Sequence, residues 1–327
     1  MGAVTIIGSY NLGITYTVET LPVWGQTLLS RQGFFSHGGK GSNQAVAAAR
    51  FGAAVRFVGA VGQDAAGISA REMLLHEGID VSQLVMMPDY PTGIGTIFLD
   101  DHGRNAIVVN PGANAQMQID TILPYSKDWP PDDILLAQLE VPLGTVRTVF
   151  AQHSGMRILN PAPADASYAR ESWDWVDILT PNETEARILC GLAPDDPVTS
   201  LELLKLLADK THGKTIVLTL GAEGALIWHQ GQDIRVPALS LETVDTTGAG
   251  DVFNGIFAAK LAHGESLPQA AYKACVGASL SVSRPGVIPA IPAVDEVNRR
   301  IEGGTQNAEM LGGSSGFSKK GSDNACI

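Results

Sequence analysis

Late in the chain, the segment from Asp245 to Gly264 reads DTTGAGDVFNGIFAAKLAHG. Two aspartates bracket a run of tiny residues, and a helical pattern opens on the second. Tiny residues let another molecule approach the backbone, and a helix N-terminus offers unpaired N–H groups and the positive end of a dipole. Gly248, Ala249 and Gly250 therefore read as an anion-binding turn. A carboxylate beside such a turn would repel a bound anion, so Asp251 is out of place as mere structure. It makes sense as a base that takes a proton from a nucleophile attacking the anion. Val252, Phe253, Ile256 and Phe257 recur at helical spacing and turn one face of that helix to a core.

Three further stretches carry polar groups at useful spacings. GGKGSNQA (Gly38 to Ala45) is reminiscent of a phosphate loop, but Lys40 is followed by Gly41 where the Walker pattern needs Ser or Thr, and Phe34 stands where its first glycine belongs. GSYNLG after the first apolar run lacks the dinucleotide-binding spacing. By itself the GGKGS segment reads as a flexible turn before a helix rather than as a phosphate loop. TPNETEARIL, from Thr180, puts Asn182 and Glu185 on one face of a first helical turn. There they serve either a hydrated Mg²⁺ or a helix capping box. TLGAEGALIW, from Thr219, ends a strand in a glycine turn, where open α/β sheets gather ligands; a nucleotide contact and a plain β-turn fit alike. The seven histidines show no metal spacing, and there is no GxSxG elbow or Cys–His arrangement.

These stretches need elements to hold them. AVTIIGS, VRFVGAVG, DILLAQ, RILN, DILT and TIVLTL read as buried strands alternating with helical patterns, among them SNQAVAAARFG with Ser42 as N-cap and Gly52 just past its end. That alternation predicts a Rossmann-like, doubly wound, mostly parallel α/β sheet. Two segments, 13–36 and 93–110, show β-type alternation with no helix between. Segment 93–110 has the pattern of a hairpin turning at Asp101 to Arg104. Together they suggest a small separate sheet: a lid, a dimer interface, both, or a decorative edge. Residues 1–302 are expected to form one domain and 303–327, rich in Gly, Ser, Asn and charge, a disordered tail.

Composition bounds the partners. A net charge of -12, from 22 basic against 34 acidic residues, argues against nucleic acid or an anionic membrane. Cys190, Cys275 and Cys326 are too few and too scattered for a disulfide framework or a cysteine zinc site. No signal peptide, lipidation box or membrane-spanning run is expected, so the chain reads as soluble and cytoplasmic.

Taken in order, GGKGSNQAVAAARFGAAVRFVGAVGQDAAG and DTTGAGDVFNGIFAAKL resemble the two signature regions of the ribokinase-like carbohydrate kinases of phosphofructokinase-B type. LLAQLEVP, LNPAPA, TPNETEA and TLGAEG are similar to the ribokinase branch, and the resemblance runs from about Val4 to Val297. It implies ATP-dependent phosphorylation of a sugar hydroxymethyl group beneath a β-lid, with homodimers formed through that lid. By the same resemblance Asp251 is the base, and Gly248, Ala249 and Gly250 stabilise charge on the transferring phosphoryl group. Asn11, Gly39, Lys40, Gly41, Asn43 and Glu140 hold the sugar. Asn182, Thr219, Gly221, Gly224, Gly250 and Cys275 meet the nucleotide, and Asn182 and Glu185 organise Mg²⁺ through water. Asp245, Thr247, Ser281, Arg284 and Gly286 surround a monovalent cation, K⁺.

One position departs from the family pattern. In SYNLGI, Asn11 is present, but Gly13 stands where the pattern has a sugar-binding Asp. Losing a carboxylate removes a charge-assisted hydrogen bond and leaves room. A bulkier, differently hydroxylated or phosphorylated sugar is therefore expected, with ribose still open because Tyr10 or a lid residue of a partner subunit can substitute. Two other readings stand beside the sugar kinase: a nucleoside kinase of the same family, and a sugar-binding regulator without catalysis. The intact GAGD and NETE segments count against the last.

Overall fold

The computed structural model describes residues 2–310 apart from Gly103 and Asp128. Strands β1 (Val4–Ile7), β4 (Val55–Gly62), β5 (Leu84–Met87), β8 (Ile134–Ala137), β9 (Arg157–Leu159), β10 (Ile178–Leu179), β11 (Thr215–Thr219), β12 (Ala225–His229) and β13 (Gln232–Val236) form one sheet. Its order is β13-β12-β11-β10-β9-β8-β1-β4-β5, parallel except for the antiparallel β12 and β13 at one edge. Every run read as a buried strand in the sequence lies in this sheet.

Period-2 alternation splits the core in two. Val4 and Ile6 face helices α1 (Lys40–Arg50), α2 (Ala65–His76), α7 (Ala249–Ala262), α8 (Leu267–Ser281) and α9 (Val294–Met310). Ile7 faces the opposite layer, built on α3 (Ile119–Ser126), α4 (Leu143–Gln152), α5 (Glu183–Leu189) and α6 (Ser200–Lys210). Such a doubly wound sheet places its ligand crevice beyond the strand C-termini, where the winding direction reverses. Here β1 leads through α1 to β4 on one side, while β8 pairs on its other side, so the crevice opens between the ends of β1 and β8.

The two helix-free segments form a second sheet of β2 (Asn11–Val18), β3 (Gln32–Gly38), β6 (Gly93–Asp100) and β7 (Asn105–Asn110), in the order β3-β2-β6-β7. Asp100 closes the β6–β7 turn by accepting from the N–H groups of His102 and Arg104, both 2.9 Å away. Two helix boundaries differ from expectation. Gly39, at φ 96°, lets α1 begin at Lys40, so Ser42 lies inside the first turn and its hydroxyl donates to the Gly38 carbonyl at 2.6 Å instead of capping. The α9 backbone stays helical to Met310, beyond the change in composition; the rest of the expected tail, 311–327, lies outside the described residues.

Helix α7 is buried along nearly its whole length, from Asp251 to Lys260, and packs directly on α1. A Cβ added at Gly255 would lie 2.4 Å from the Gln44 carbonyl oxygen and 2.5 Å from the Ala47 Cβ. Glycine is thus what allows the two backbones to touch. Gly255→Ala is expected to push α1 and α7 apart and to destabilise the fold by about 1–3 kcal/mol, the usual range for overpacking a tight core. Urea unfolding measures it, and an unchanged midpoint would mean that the helices have slack.

Candidate active site

The crevice is assembled from strand ends on one side and two helix N-termini on the other. From the end of β8, Glu140 Oε2 accepts hydrogen bonds from the Ser9 hydroxyl at 2.5 Å, the Lys40 N–H at 3.0 Å and Asn11 Nδ2 at 3.3 Å. One carboxylate therefore gathers the end of β1, the start of β2 and the first residue of α1. Asn114 completes the corner by donating to Asn11 Oδ1 at 3.0 Å and to the Tyr10 carbonyl at 2.9 Å. Gly39 and Gly41 cannot carry side chains here: added Cβ atoms would sit 2.6 Å from the Asn11 nitrogen and 2.5 Å from the Ser9 nitrogen.

Facing this corner, the αL residue Gly248 at φ 75° starts α7, and Asp251 lies in its first turn. The Asp251 side chain is buried, with Oδ2 accepting from Asn43 Nδ2 at 2.9 Å and Oδ1 from Gln44 Nε2 at 3.1 Å. Burial pushes its carboxyl above the usual range. Lys40 and the two amide donors oppose the rise, and Glu140 adds to it. Asp251 in turn raises the Lys40 ammonium against the opposing effect of burial, with Glu140 and Glu185 contributing. Asn43 Oδ1 is buried with no donor among the described residues, leaving an acceptor beside Asp251 for an incoming hydroxyl.

Lys40, Glu185, Gly248, Gly250 and Asp251 line a small cavity of about 160 Å³. It meets a larger one of about 400 Å³ at Asn182, Thr219 and Gly250, which line both. All six residues that the resemblance assigned to the nucleotide border the larger cavity: Asn182, Thr219, Gly221, Gly224, Gly250 and Cys275. Its remaining wall, with Leu239, Leu241, Phe253 and Val282, is largely apolar. Burial pushes the Cys275 thiol up to about 12, so it is a neutral part of that wall. The volume suits a small-molecule ligand with a flat apolar portion. Sequence reasoning did not find the 238–243 wall, which carries no polar motif.

At the junction, Asn182 and Glu185 do form a capping box: Asn182 Oδ1 accepts from the Glu185 N–H at 2.8 Å, and Glu185 Oε2 from the Asn182 N–H at 2.9 Å. Burial and then the Asp251 charge push the Glu185 carboxyl up, against the Asn182 N–H and Lys40. Since Oε1 takes no part in the box, capping and cation contact are compatible. Among the described residues no three His, Cys, Asp or Glu side chains cluster to hold a metal directly.

Asp245 braces the turn from behind. Its oxygens accept from the N–H groups of Thr247 at 2.9 Å and Gly286 at 3.0 Å, and those bonds lower its carboxyl although burial opposes them. Ser281 and Arg284 join this group only through the backbone of their loop. The Ser281 hydroxyl donates to the Ala278 carbonyl at 2.8 Å, and the Arg284 guanidinium pairs with Glu296. Gly13 lies in β2 in register with Ser36 and Gly95, and an added Cβ would meet Ser36 Oγ at 2.5 Å.

The pfkB family carbohydrate kinase model matches residues 1–294. Ribokinase of Haemophilus influenzae is 34% identical over 301 residues, covering 91% of this chain and 98% of that protein. Deoxyribokinase of Salmonella typhi is also 34% identical, over 91% of this chain and 98% of its own length. Arabidopsis thaliana ribokinase, solved in complex with ribose and ATP, superposes with a TM-score of 0.78 at 28% identity, covering 91% of this chain and 98% of that one. With crevice, cavities and both signature segments in place, the chain belongs to the pfkB family of carbohydrate kinases.

Proposed function

We propose that the chain transfers the γ-phosphoryl group of ATP to the hydroxymethyl group of a ribose-like sugar. The observation that carries this reading is the buried Asp251 carboxylate, held by two amides in the small cavity, which meets the larger one at the neighbouring Gly250. The sugar lies over Gly39, Lys40, Gly41, Asn43, Asn11 and Glu140, and the nucleotide fills the larger cavity. As the hydroxymethyl oxygen attacks the γ-phosphorus, its proton passes to Asp251 and the bond to the β–γ bridging oxygen breaks, releasing ADP. The N–H groups at the start of α7, in the Gly248–Ala249–Gly250 turn, stabilise charge on the transferring group, which is the main work in this chemistry. Ribose and ATP in the plant relative support the assignment of the two cavities.

Glu185 and Asn182 hold Mg²⁺ through water; the ion supplies charge neutralisation for the phosphates. Their oxygen donors and the lack of a dedicated protein cage fit that ion. Asp245, the Thr247 backbone and the loop bearing Ser281, Arg284 and Gly286 hold K⁺ behind the turn. The oxygen chemistry of the Asp245 carboxylate suits a hard monovalent cation.

The lid closes over the sugar and pairs two subunits. Phe35, Ile14, Thr96 and Val108 lie side by side in register, with Phe35 72% and Val108 66% exposed. Phe34, Ile107 and Val109 are exposed on the other face. Apolar edge strands of this kind are normally protected by a partner. At Gly13 the neutral Ser36 hydroxyl fills the space where a carboxylate side chain would start, so the room expected from the glycine is taken, and the exchange of a charge for a hydroxyl favours a sugar hydroxylated differently from ribose.

ADP release with MgATP, with and without K⁺, across pentoses, hexoses, sugar acids, sugar phosphates and nucleosides tests the reaction. One sugar is expected to stand out, with K⁺ raising its turnover. Preference for a nucleoside overturns the sugar reading, and preference for ribose over every other sugar overturns the Gly13 argument alone. Asp251→Asn should lower kcat by about 10²–10⁴, the usual worth of a general base, while ATP still binds in calorimetry; undiminished turnover removes Asp251 from the mechanism. Glu185→Gln keeps a capping box, since Gln serves at that position. Its melting temperature should therefore match wild type while half-saturating Mg²⁺ rises several-fold; an unchanged Mg²⁺ requirement excludes Glu185 as the ion's anchor. In sedimentation the wild type is expected to run as a dimer and Phe35→Asp with Val108→Asp as a monomer; a monomeric wild type ends the lid-interface proposal.

A further inference from the structure

Behind Asp251 lies a chain of side-chain amides that the reaction scheme above does not use. Asn160, just past β9, donates from Nδ2 to the backbone carbonyl of Thr180 at 3.0 Å. A backbone carbonyl is only ever an acceptor, so this bond decides which way the Asn160 amide points. Its Oδ1 is thereby turned to Gln44, whose Nε2 donates to it at 3.2 Å and to Asp251 Oδ1 at 3.1 Å. On the other side, Gln44 Oε1 accepts from Gln138 Nε2 at 2.6 Å. Reversing the Gln44 amide would set its carbonyl against both the Asn160 carbonyl and the Asp251 carboxylate, and would face its NH₂ to that of Gln138. Every member thus holds the next in one polarity, and the end of the chain is an N–H aimed at Asp251.

The arrangement leaves a cost unrecovered. Gln44 and Gln138 are fully buried, and Gln138 Oε1 has no hydrogen-bond partner among the described residues. A buried acceptor left without a donor is unfavourable. The neighbouring backbone even makes room for it: a Cβ added at Gly8 would lie 2.2 Å from that oxygen. Packing alone would favour an apolar side chain at Gln138, whereas presenting an N–H to Gln44 requires this amide.

We propose that Gln44, oriented by Gln138 and Asn160, is a positioning residue that keeps Asp251 ionised and aimed at the sugar hydroxyl. The inference rests on Asp251 acting as the base. Burial favours the protonated acid, which cannot accept a proton, and an N–H donor favours the carboxylate. The charged groups acting on this corner are Lys40 from α1, Glu140 from the end of β8 and Glu185 from α5. None is altered by the variants below.

The test is the pH profile of kcat for wild type, Gln44→Leu and Gln138→Met, with KM for ATP measured in parallel. A base is lost as pH falls through its pKa, and removing a donor to the carboxylate raises that pKa. The acid limb of Gln44→Leu should therefore move to higher pH by about one unit, the size expected for one hydrogen bond to a charge. At pH values below the limb kcat falls about tenfold, it recovers towards wild type above the limb, and KM for ATP stays within about twofold. Gln138→Met, which removes the orphaned oxygen together with the donor to Gln44, should shift the limb in the same direction by less. A limb that coincides with wild type in Gln44→Leu overturns the proposal. If that variant does not melt cooperatively, an unshifted limb in Gln138→Met overturns it instead. Loss of activity in Asp251→Asn with unshifted limbs rejects Gln44 alone, whereas full activity in Asp251→Asn rejects the base itself.

Discussion

The proposed chemistry depends on keeping one carboxylate charged inside the protein. Taking an ion from water into a protein interior costs several kcal/mol unless opposite charge and hydrogen bonds meet it. Asp251 is met by Asn43 and Gln44 from α1 and by the field of Lys40. All three lie within the first turns of α1, so the carboxylate is supported only if that helix reaches α7 at backbone contact. Gly255 permits the contact, and the α1–α7 layer over one face of the sheet is its consequence. Thr180 and Asn254 then tie α7 to the strand ends: the Thr180 hydroxyl donates to Asn254 Oδ1 at 2.5 Å, and Asn254 Nδ2 to the Gly250 carbonyl at 2.7 Å.

An acidic chain that takes a polyanionic nucleotide has to solve its electrostatics locally. Lys40 is the one cationic side chain lining the small cavity among the described residues, and Asp251, Glu140 and Glu185 all hold it protonated. Its charge is therefore shared among three carboxylates and leaves little surplus for phosphates. Backbone N–H groups at the start of α7 supply attraction that no side-chain titration can remove. The same shortage of positive charge makes bound cations the natural complement of this site.

Much of this was legible in the sequence because it sits at strand ends and helix starts, where residue type follows directly from backbone geometry. The alternation of apolar runs and helical patterns gave the sheet, the helix-free segments gave the lid, and NETE gave its capping box. Other features were illegible for physical reasons. Ser42 suggested an N-cap because hydroxyls cap helices, but the conformational freedom of Gly39 starts α1 earlier. Gln44, Gln138 and Asn160 stood inside the motif segments, yet an amide has no intrinsic polarity until its partners are known. Those partners lie 94 and 116 residues away from Gln44. The 238–243 wall was invisible because apolar packing against a ligand leaves no pattern distinct from packing against a core.

The small sheet and the proposed base share their anchors. β2 begins at Asn11, which donates to Glu140, and β3 ends at Gly38, with only Gly39 between it and the start of α1 at Lys40. Glu140 also accepts from the Lys40 N–H, so the lid strands, the sugar corner and the helix that aims Asp251 meet on one carboxylate. Any displacement of the small sheet would reach that junction, since β2 and β3 run into it directly. The converse also follows. On the reading proposed above, hydroxyls engaging Asn11 and Glu140 would draw on the groups that seat α1, which would couple sugar binding to the support of Asp251. Gly13 and Ser36 pair two residues further along β2 and β3 than Asn11 and Gly38, so the exchange proposed to alter the choice of sugar falls beside that junction and not on it.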